Sequence, residues 1–286
     1  MVNKKFILNA DNFGMSKANN RAVLNGCLGG FLSSASLCAN GKAFNAAVNE
    51  IIPELPNLSV GVHINLTTGR ALTKAPLLTN KRGKFNKNFF SLLFMQKNKK
   101  FLEQIEFECR TQIETIMTYT EIDHIDSFMN IHAIPEIFEI IAKLAAEYKI
   151  PYIRTHQEEL YFVPSIKSYL NYKYINNLIK YIILSQFNKK NKNILKKYNL
   201  KTNNYCIGLH YNGLMDEQAI EAGLKEIDET DTLVEAFIQP GYFTTSRKDK
   251  NSTEYFITQN KTLEDNIKRL GFEITNYRKE TQCHTE

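Results

Sequence analysis

With 286 residues, 43% of them hydrophobic, and a formal net charge of +6, the chain can bury the core of one large α/β domain. No apolar run is long enough to span a membrane, and the basic charge comes without a nucleic-acid recognition motif, so no nucleic-acid partner is expected. The five cysteines (Cys27, Cys38, Cys109, Cys206, Cys283) are scattered and odd in number, with no C-x-x-C, which argues against a disulfide framework and a zinc knuckle. The first strand begins almost at Met1, leaving no room for a signal peptide. Together these features predict a reducing, cytoplasmic setting.

Phe6 to Asn9 reads as a buried first strand, and Asn9-Ala10-Asp11-Asn12-Phe13-Gly14 carries the chain out of it. Ser16 caps a helix running to about Leu28, which Gly29-Gly30 ends. Ala35 to Asn40 is the second strand, its small residues suited to a crowded interior. Phe44 to Ile52 is a helix closed by Pro53, and Leu58 to Leu66 is strand three. Thr67 to Lys100, with Pro76, Gly83 and many Asn and Lys, reads as a loop insertion of a length usual for functional lids. Phe101 to Tyr119 has helical spacing at Ile105, Cys109, Ile113 and Ile116.

Ile122 to Ser127 is strand four, Pro135 to Tyr148 an amphipathic helix with proline in its first turn, and Tyr152 to Arg154 strand five. A helical insertion occupies about residues 160–204, with Ser165 to Leu200 helical. Within it, Tyr174 to Phe187 is apolar enough to pack or to face a partner or membrane surface. Lys189, Lys190, Lys192, Lys196, Lys197 and Lys201 follow with no acidic residue among them. Such a run is usually a solvated face, and it also suits an anionic polymer or membrane. Cys206 to His210, Leu233 to Ile238 and Phe272 to Thr275 are strands six to eight, separated by helices at about Asp216 to Ile227 and Leu263 to Leu270. This alternation predicts an α/β fold. Residues 1–286 form a single (β/α) barrel, regular or irregular, with parallel strands inside and helices outside.

On a barrel the C-terminal strand ends share one mouth. They carry Asp11, Asn12, His63, Asn65, Asp126, Arg154, His156, His210 and Gln239, and His124 and His132 flank strand four. A lone histidine there is most often structural. Several, on different strands beside carboxylates, suit a divalent transition metal able to activate water and polarise a carbonyl. Serine hydrolysis, P-loop and dinucleotide motifs are absent.

Four motifs, in order, resemble those of the YdjC-like carbohydrate deacetylases, the family of the chitooligosaccharide deacetylases. Asn9-Ala10-Asp11-Asn12-Phe13-Gly14 is similar to N-A-D-D-F-G, and Gly61-Val62-His63-Ile64-Asn65-Leu66-Thr67 to G-x-H-x-N-L-T. His124-Ile125-Asp126-Ser127-Phe128, continuing to His132 and Pro135, is similar to H-x-D-S-H-x-x-x-H-x-x-P, and Gln239-Pro240-Gly241-Tyr242 to H-P-G-Y. The resemblance implies a (β/α) barrel that removes acetyl from an N-acetylated sugar, with an ion held by one carboxylate and two histidines. Carried over, Asp11 is the catalytic base and His63 a metal ligand. The second ligand position holds Asn12, whose neutral oxygen coordinates weakly. The third holds Phe128, which has no donor. Gln239 stands where the family has a histidine and cannot exchange a proton.

Three readings follow. In the first, the chain deacetylates an amino sugar with a divalent ion, Mg or Zn. His132 is then the first candidate for a recruited ligand, with Asp126, His124 and His210 behind it. In the second, it is a metal-free carbohydrate-binding pseudoenzyme. In the third, the mouth serves another reaction with Asp11 as base. Arg154, Asn65, Asp126, His210 and Gln239 are the expected substrate contacts. A carbohydrate is the expected partner, and the oligomeric state stays open.

Overall fold

The computed structural model describes residues 3–164, 166, 169–241 and 250–282. Its first strand, β1 (Asn3–Phe13), is buried from Phe6 onward. Successive side chains on a strand point to opposite faces. Phe6, Leu8 and Ala10 accordingly join the main core beneath the helices, while Ile7 packs with Tyr152, Leu233 and Tyr277. Asn9 and Asp11 continue the row of Ile7, so polar side chains line the interior toward the strand's C-terminal end.

Every ladder among the named strands is parallel. β1 pairs along one edge with β7 (Asp231–Ile238); its other edge is shared by β8 (Phe272–Ile274) at Lys4–Phe6 and β2 (Ser34–Leu37) at Asn9–Phe13. The sheet continues through β3 (Ser59–Ile64), β4 (His124–Ser127) and β5 (Tyr152–Ile153) on one side and β6 (Tyr205–Ile207) on the other, in the order β5-β4-β3-β2-β1-β7-β6. Its two ends are stitched by backbone hydrogen bonds, from Ile153 N to the Lys201 carbonyl (3.0 Å) and from Cys206 N to the Gln157 carbonyl (2.7 Å). The result is an irregular (β/α) barrel, as the alternation predicts. Gly61 on β3 is needed for its lack of a side chain, because a Cβ there would lie 2.3 Å from His124 Nε2.

The helices are α1 (Lys17–Gly29), α2 (Phe44–Ala46), α3 (Phe89–Met95), α4 (Lys99–Met117), α5 (Pro135–Glu147), α6 (Tyr172–Lys197), α7 (Glu217–Lys225), α8 (Lys250–Ile257), α9 (Lys261–Arg269) and α10 (Tyr277–Gln282). Ser16 caps α1, its hydroxyl accepting from Asn19 N at 3.1 Å. The helix expected over 44–52 continues past α2 as a π turn and a 3-10 turn, reaching through Pro53 to Glu54.

The 67–100 segment is more ordered than a plain loop. Glu108 on α4 accepts from Leu72 N and Thr73 N, Gln112 accepts from Asn65 N, and α3 forms within the segment. Buried carboxylate and amide groups on the next helix thus satisfy the loop backbone, a tertiary arrangement that propensity does not reveal. Within the helical insertion, α6 starts at Tyr172, where Asn171 caps two backbone amides; Ser165, at the expected helix start, lies outside the described residues. α8 and α10, not expected from the sequence, cover the barrel wall and its lower end, where Tyr277 stacks on His124 at 4.3 Å.

Among the described residues no helix is long and apolar enough to cross a membrane. Cys27, Cys38, Cys109 and Cys206 are unpaired, and Cys283 lies outside the described residues.

Candidate active site

At the C-terminal end of the barrel, five strands bring charge to one point. Arg154, which follows β5, is fully buried. Its Nη2 lies 2.8 Å from Asp11 Oδ1, 2.6 Å from Asp126 Oδ2 and 2.6 Å from Glu235 Oε1, and its Nε donates to Glu235 Oε2 at 2.9 Å. Asp126 Oδ1 meets His63 Nδ1 at 2.6 Å, and its Oδ2 also accepts from the Ser36 hydroxyl at 2.7 Å. Asn9 completes the set, donating to Asp11 Oδ1 and Ser36 Oγ and accepting from the Ser34 hydroxyl. The parallel register sets much of this, since His63 on β3 pairs with Asp126 on β4.

The electrostatics follow from three carboxylates around one guanidinium. Burial raises the Asp11 carboxyl above its usual range, against the pull of Arg154. Burial works on Asp126 too, but Arg154 and His63 outweigh it and hold that carboxyl below the usual range. Burial would lower His63, yet Asp126 and Asp11 raise it on balance. Glu235 is raised by burial, with Arg154 opposing.

Above this floor is a cavity of about 530 Å³, within the size range of small-molecule sites (~300–1,000 Å³). Asp11 reaches it from below. Its walls are aromatic (Phe89, Phe90, Phe128) and carboxamide (Asn130, Asn177, Asn212, Gln239), a mixture of stacking faces and hydrogen-bonding groups. Lys180 on α6 also lines it. Withdrawal of its half-buried ammonium from water lowers its pKa to about 8.

Asp11, His63 and Asp126 offer ligand atoms within 4.8 Å of one another, a spacing at which three donors can share one ion. Both Asp11 oxygens and Asp126 Oδ2 already serve Arg154, so the guanidinium holds the charge centre of that group. Two donors beside it are free. Asn12 has φ +67, a left-handed conformation that Asn tolerates, and its buried Oδ1 has no hydrogen-bond partner. His63 Nε2 has none either, its Nδ1 being fixed by Asp126. Phe128 sets its ring edge-on to His63 at 6.1 Å and supplies no donor. Asn12 Oδ1 and the His63 ring are therefore the protein donors left beside the Arg154 network.

The remaining sequence candidates stand elsewhere. His132 uses Nδ1 on the Ser127 hydroxyl and Nε2 on the Arg154 carbonyl (3.0 Å), which leaves no lone pair for an ion; burial drops it to about 3. His124 lies inside the barrel, 3.1 Å from Ser36 Oγ, and burial likewise holds it at about 3. His156 packs against the His132 ring at 5.0 Å.

Of the expected substrate contacts, only Gln239 lines the cavity. Arg154 and Asp126 lie beneath it in the ion network. Asn65 is buried in the turn after β3, accepting from Thr67 N and Thr68 N and donating to Asn40. His210 sits in a buried aromatic cluster between Tyr181 (4.2 Å) and Tyr161 (5.4 Å). Tyr242 lies outside the described residues. Sequence reasoning missed Glu235, whose signal was a lone charge inside the apolar run Leu233–Ile238. It also missed Asn9 as a link in the network and the cavity wall supplied by α6, whereas α3, inside the 67–100 segment read as a lid, does line the cavity.

The model for the family described as YdjC-like protein matches residues 5–278. The chain belongs to the YdjC-like family. A carbohydrate deacetylase of Clostridium beijerinckii is 35% identical over 161 residues, 55% of this chain and 63% of the relative. A chitooligosaccharide deacetylase of Citrobacter koseri is 34% identical over 148 residues, 51% of this chain and 57% of the relative. The chain thus spans less than two thirds of the curated relatives it matches. A crystal structure from Enterococcus faecalis V583, described as a "putative cellobiose-phosphate cleavage protein", superposes with TM-score 0.74 at 22% identity, over 97% of this chain and 98% of that one. That likeness establishes the shared fold.

Proposed function

We propose that this YdjC-like chain hydrolyses the acetamide of an N-acetylated carbohydrate. The observation that carries the reading is Asp11: it is the carboxylate exposed to the cavity, and its position is fixed from behind by Arg154 and Asn9. Burial raises its pKa toward the range useful for proton transfer. The curated relatives named as carbohydrate and chitooligosaccharide deacetylases support the substrate class.

In this mechanism the sugar stacks on the cavity's aromatic faces, and Asn130, Asn212 and Gln239 orient its hydroxyls. Water attacks the acetamide carbonyl from the Asp11 side, and Asp11 takes the proton. Because Gln239 cannot supply one, Asp11 returns that proton to the departing amine. Asn12 and His63 would hold a divalent ion, Mg or Zn, which when bound supplies Lewis acidity toward the carbonyl and a more acidic water. An ion needs the His63 ring without its second proton, so loading weakens as pH falls. The unpaired cysteines suit a reducing compartment, in keeping with a cytoplasmic enzyme.

Acetate release from N-acetylated chitooligosaccharides, with added Mg²⁺ or Zn²⁺ and with chelator, tests this. Asp11→Asn should lower the rate by about 10²–10⁴-fold. Phe128 at the third ligand position favours a second reading, a carbohydrate-binding protein without turnover. Saturable sugar binding with no acetate under metal-replete conditions would select that reading.

A further inference from the structure

Two segments border the cavity mouth, and they share an unusual make-up. No Asp or Glu occurs from Leu55 to Leu102, and α6 contains none. α3 turns Phe90 and Phe94 to solvent, 51% and 81% exposed, and the exposed Lys97, Lys99 and Lys100 follow it. α6 turns out Tyr172, Ile175, Ile179 and Ile182, all about half exposed or more. Their spacing of three and four residues keeps them on one stripe. Further along the same stripe come exposed Gln186, Lys189, Asn193 and Lys197. Lys180 ties the two segments together, its Nζ 2.7 Å from the Met129 carbonyl and 5.6 Å from the Phe89 ring. Phe90, Met129 and Ile179 each line the cavity and also face water, so the apolar rim and the cavity wall are continuous.

We propose that this rim docks on an anionic lipid bilayer, with the cavity opening at the membrane surface. An apolar face bordered by lysines inserts its side chains at the headgroup boundary, while the ammonium groups meet anionic lipid. The charge pattern favours lipid over a second copy of the chain. Two copies joined through the isoleucine stripe would bring two lysine-bearing, carboxylate-free helices together. The α5 carboxylates nearest these lysines are already used within the chain, Glu136 by Lys190 at 3.0 Å and Glu139 by Lys197. Docking does not depend on the reaction proposed above. It would bring membrane-borne sugars within reach of Asp11.

Co-sedimentation of the full chain with vesicles tests the proposal. Vesicles of phosphatidylcholine with about 30% phosphatidylglycerol, in roughly 0.1 M salt, should bind at least about tenfold more protein than phosphatidylcholine alone. Phe94→Asp/Ile175→Asp/Ile182→Asp should abolish that binding. None of the three lines the cavity, so sugar binding in solution should be unchanged, which confirms folding. Lys97→Glu/Lys99→Glu/Lys189→Glu should weaken binding by about 100-fold or more and flatten its salt dependence. Equal binding to both vesicle types, or wild-type binding by the aspartate variant, would overturn the idea. So would dimerisation through the stripe without vesicle binding, or binding to a DNA duplex that the aspartate variant retains.

Discussion

The floor of the cavity and its rim differ in how fully their polar atoms are matched. On the floor, Arg154 faces three carboxylates, and Asn9, Ser34, Ser36 and His63 engage most of the remaining oxygens. Beside it Asn12 Oδ1 is buried without a partner, and above it, toward the rim, Phe128 offers no donor and large apolar side chains face water. The floor is built from strand residues whose charges must balance in a dry interior, so any one change disturbs several partners. The rim is built from strand-end turns and insertions, where a side chain can change at little cost to folding. Of the three departures from the family motifs, Phe128 and Gln239 line the cavity above the floor, while Asn12 is buried near the end of β1.

Four experiments sharpen or break that contrast. Arg154→Met should cost about 3–5 kcal/mol in urea unfolding, because it strands buried carboxylates; a loss below about 1 kcal/mol would mean that the floor is not the charge-balanced unit described. Asn12→Asp/Phe128→His should raise affinity for Zn²⁺ roughly 100-fold, about 2.7 kcal/mol, read by titration calorimetry. Unchanged affinity would show that Arg154, rather than the missing donors, limits metal binding.

His132→Gln tests the neutral histidine beneath the site. Its folded pKa of about 3 lies below the ordinary 6.5, so its stabilisation is complete above pH 6.5 and is lost as pH falls toward 3. Between about pH 7.5 and pH 5 the parent chain should lose about 2 kcal/mol that the variant retains. Equal pH dependence would put His132 in water or protonated. Phe128→Ala should change stability by no more than about 1 kcal/mol, since the ring is half-buried on the rim. A larger loss in thermal melting would make Phe128 part of the floor.

Much of the fold is legible in the sequence. Strand-helix alternation is a local pattern repeated along the chain, so the barrel and the position of Asp11 follow from it. Ser16 as a cap and the proline-led α5 are likewise local signals. The irregular turns after α2 and the order within 67–100 are not, because Glu108 and Gln112 stabilise them from another element. His132 and His210 look like ligands in a list of strand-end histidines, yet packing encloses both.

By itself the sequence determined the alternating architecture, the four motifs that mark the family, and Asp11 as the carboxylate at the end of the first strand. Only the tertiary structure decided that Arg154 stands among Asp11, Asp126 and Glu235, and that α6 walls the cavity. The reason is distance along the chain. Arg154 meets Asp11 across 143 positions and Glu235 across 81. Contacts of that range leave no periodic trace in the residues that make them.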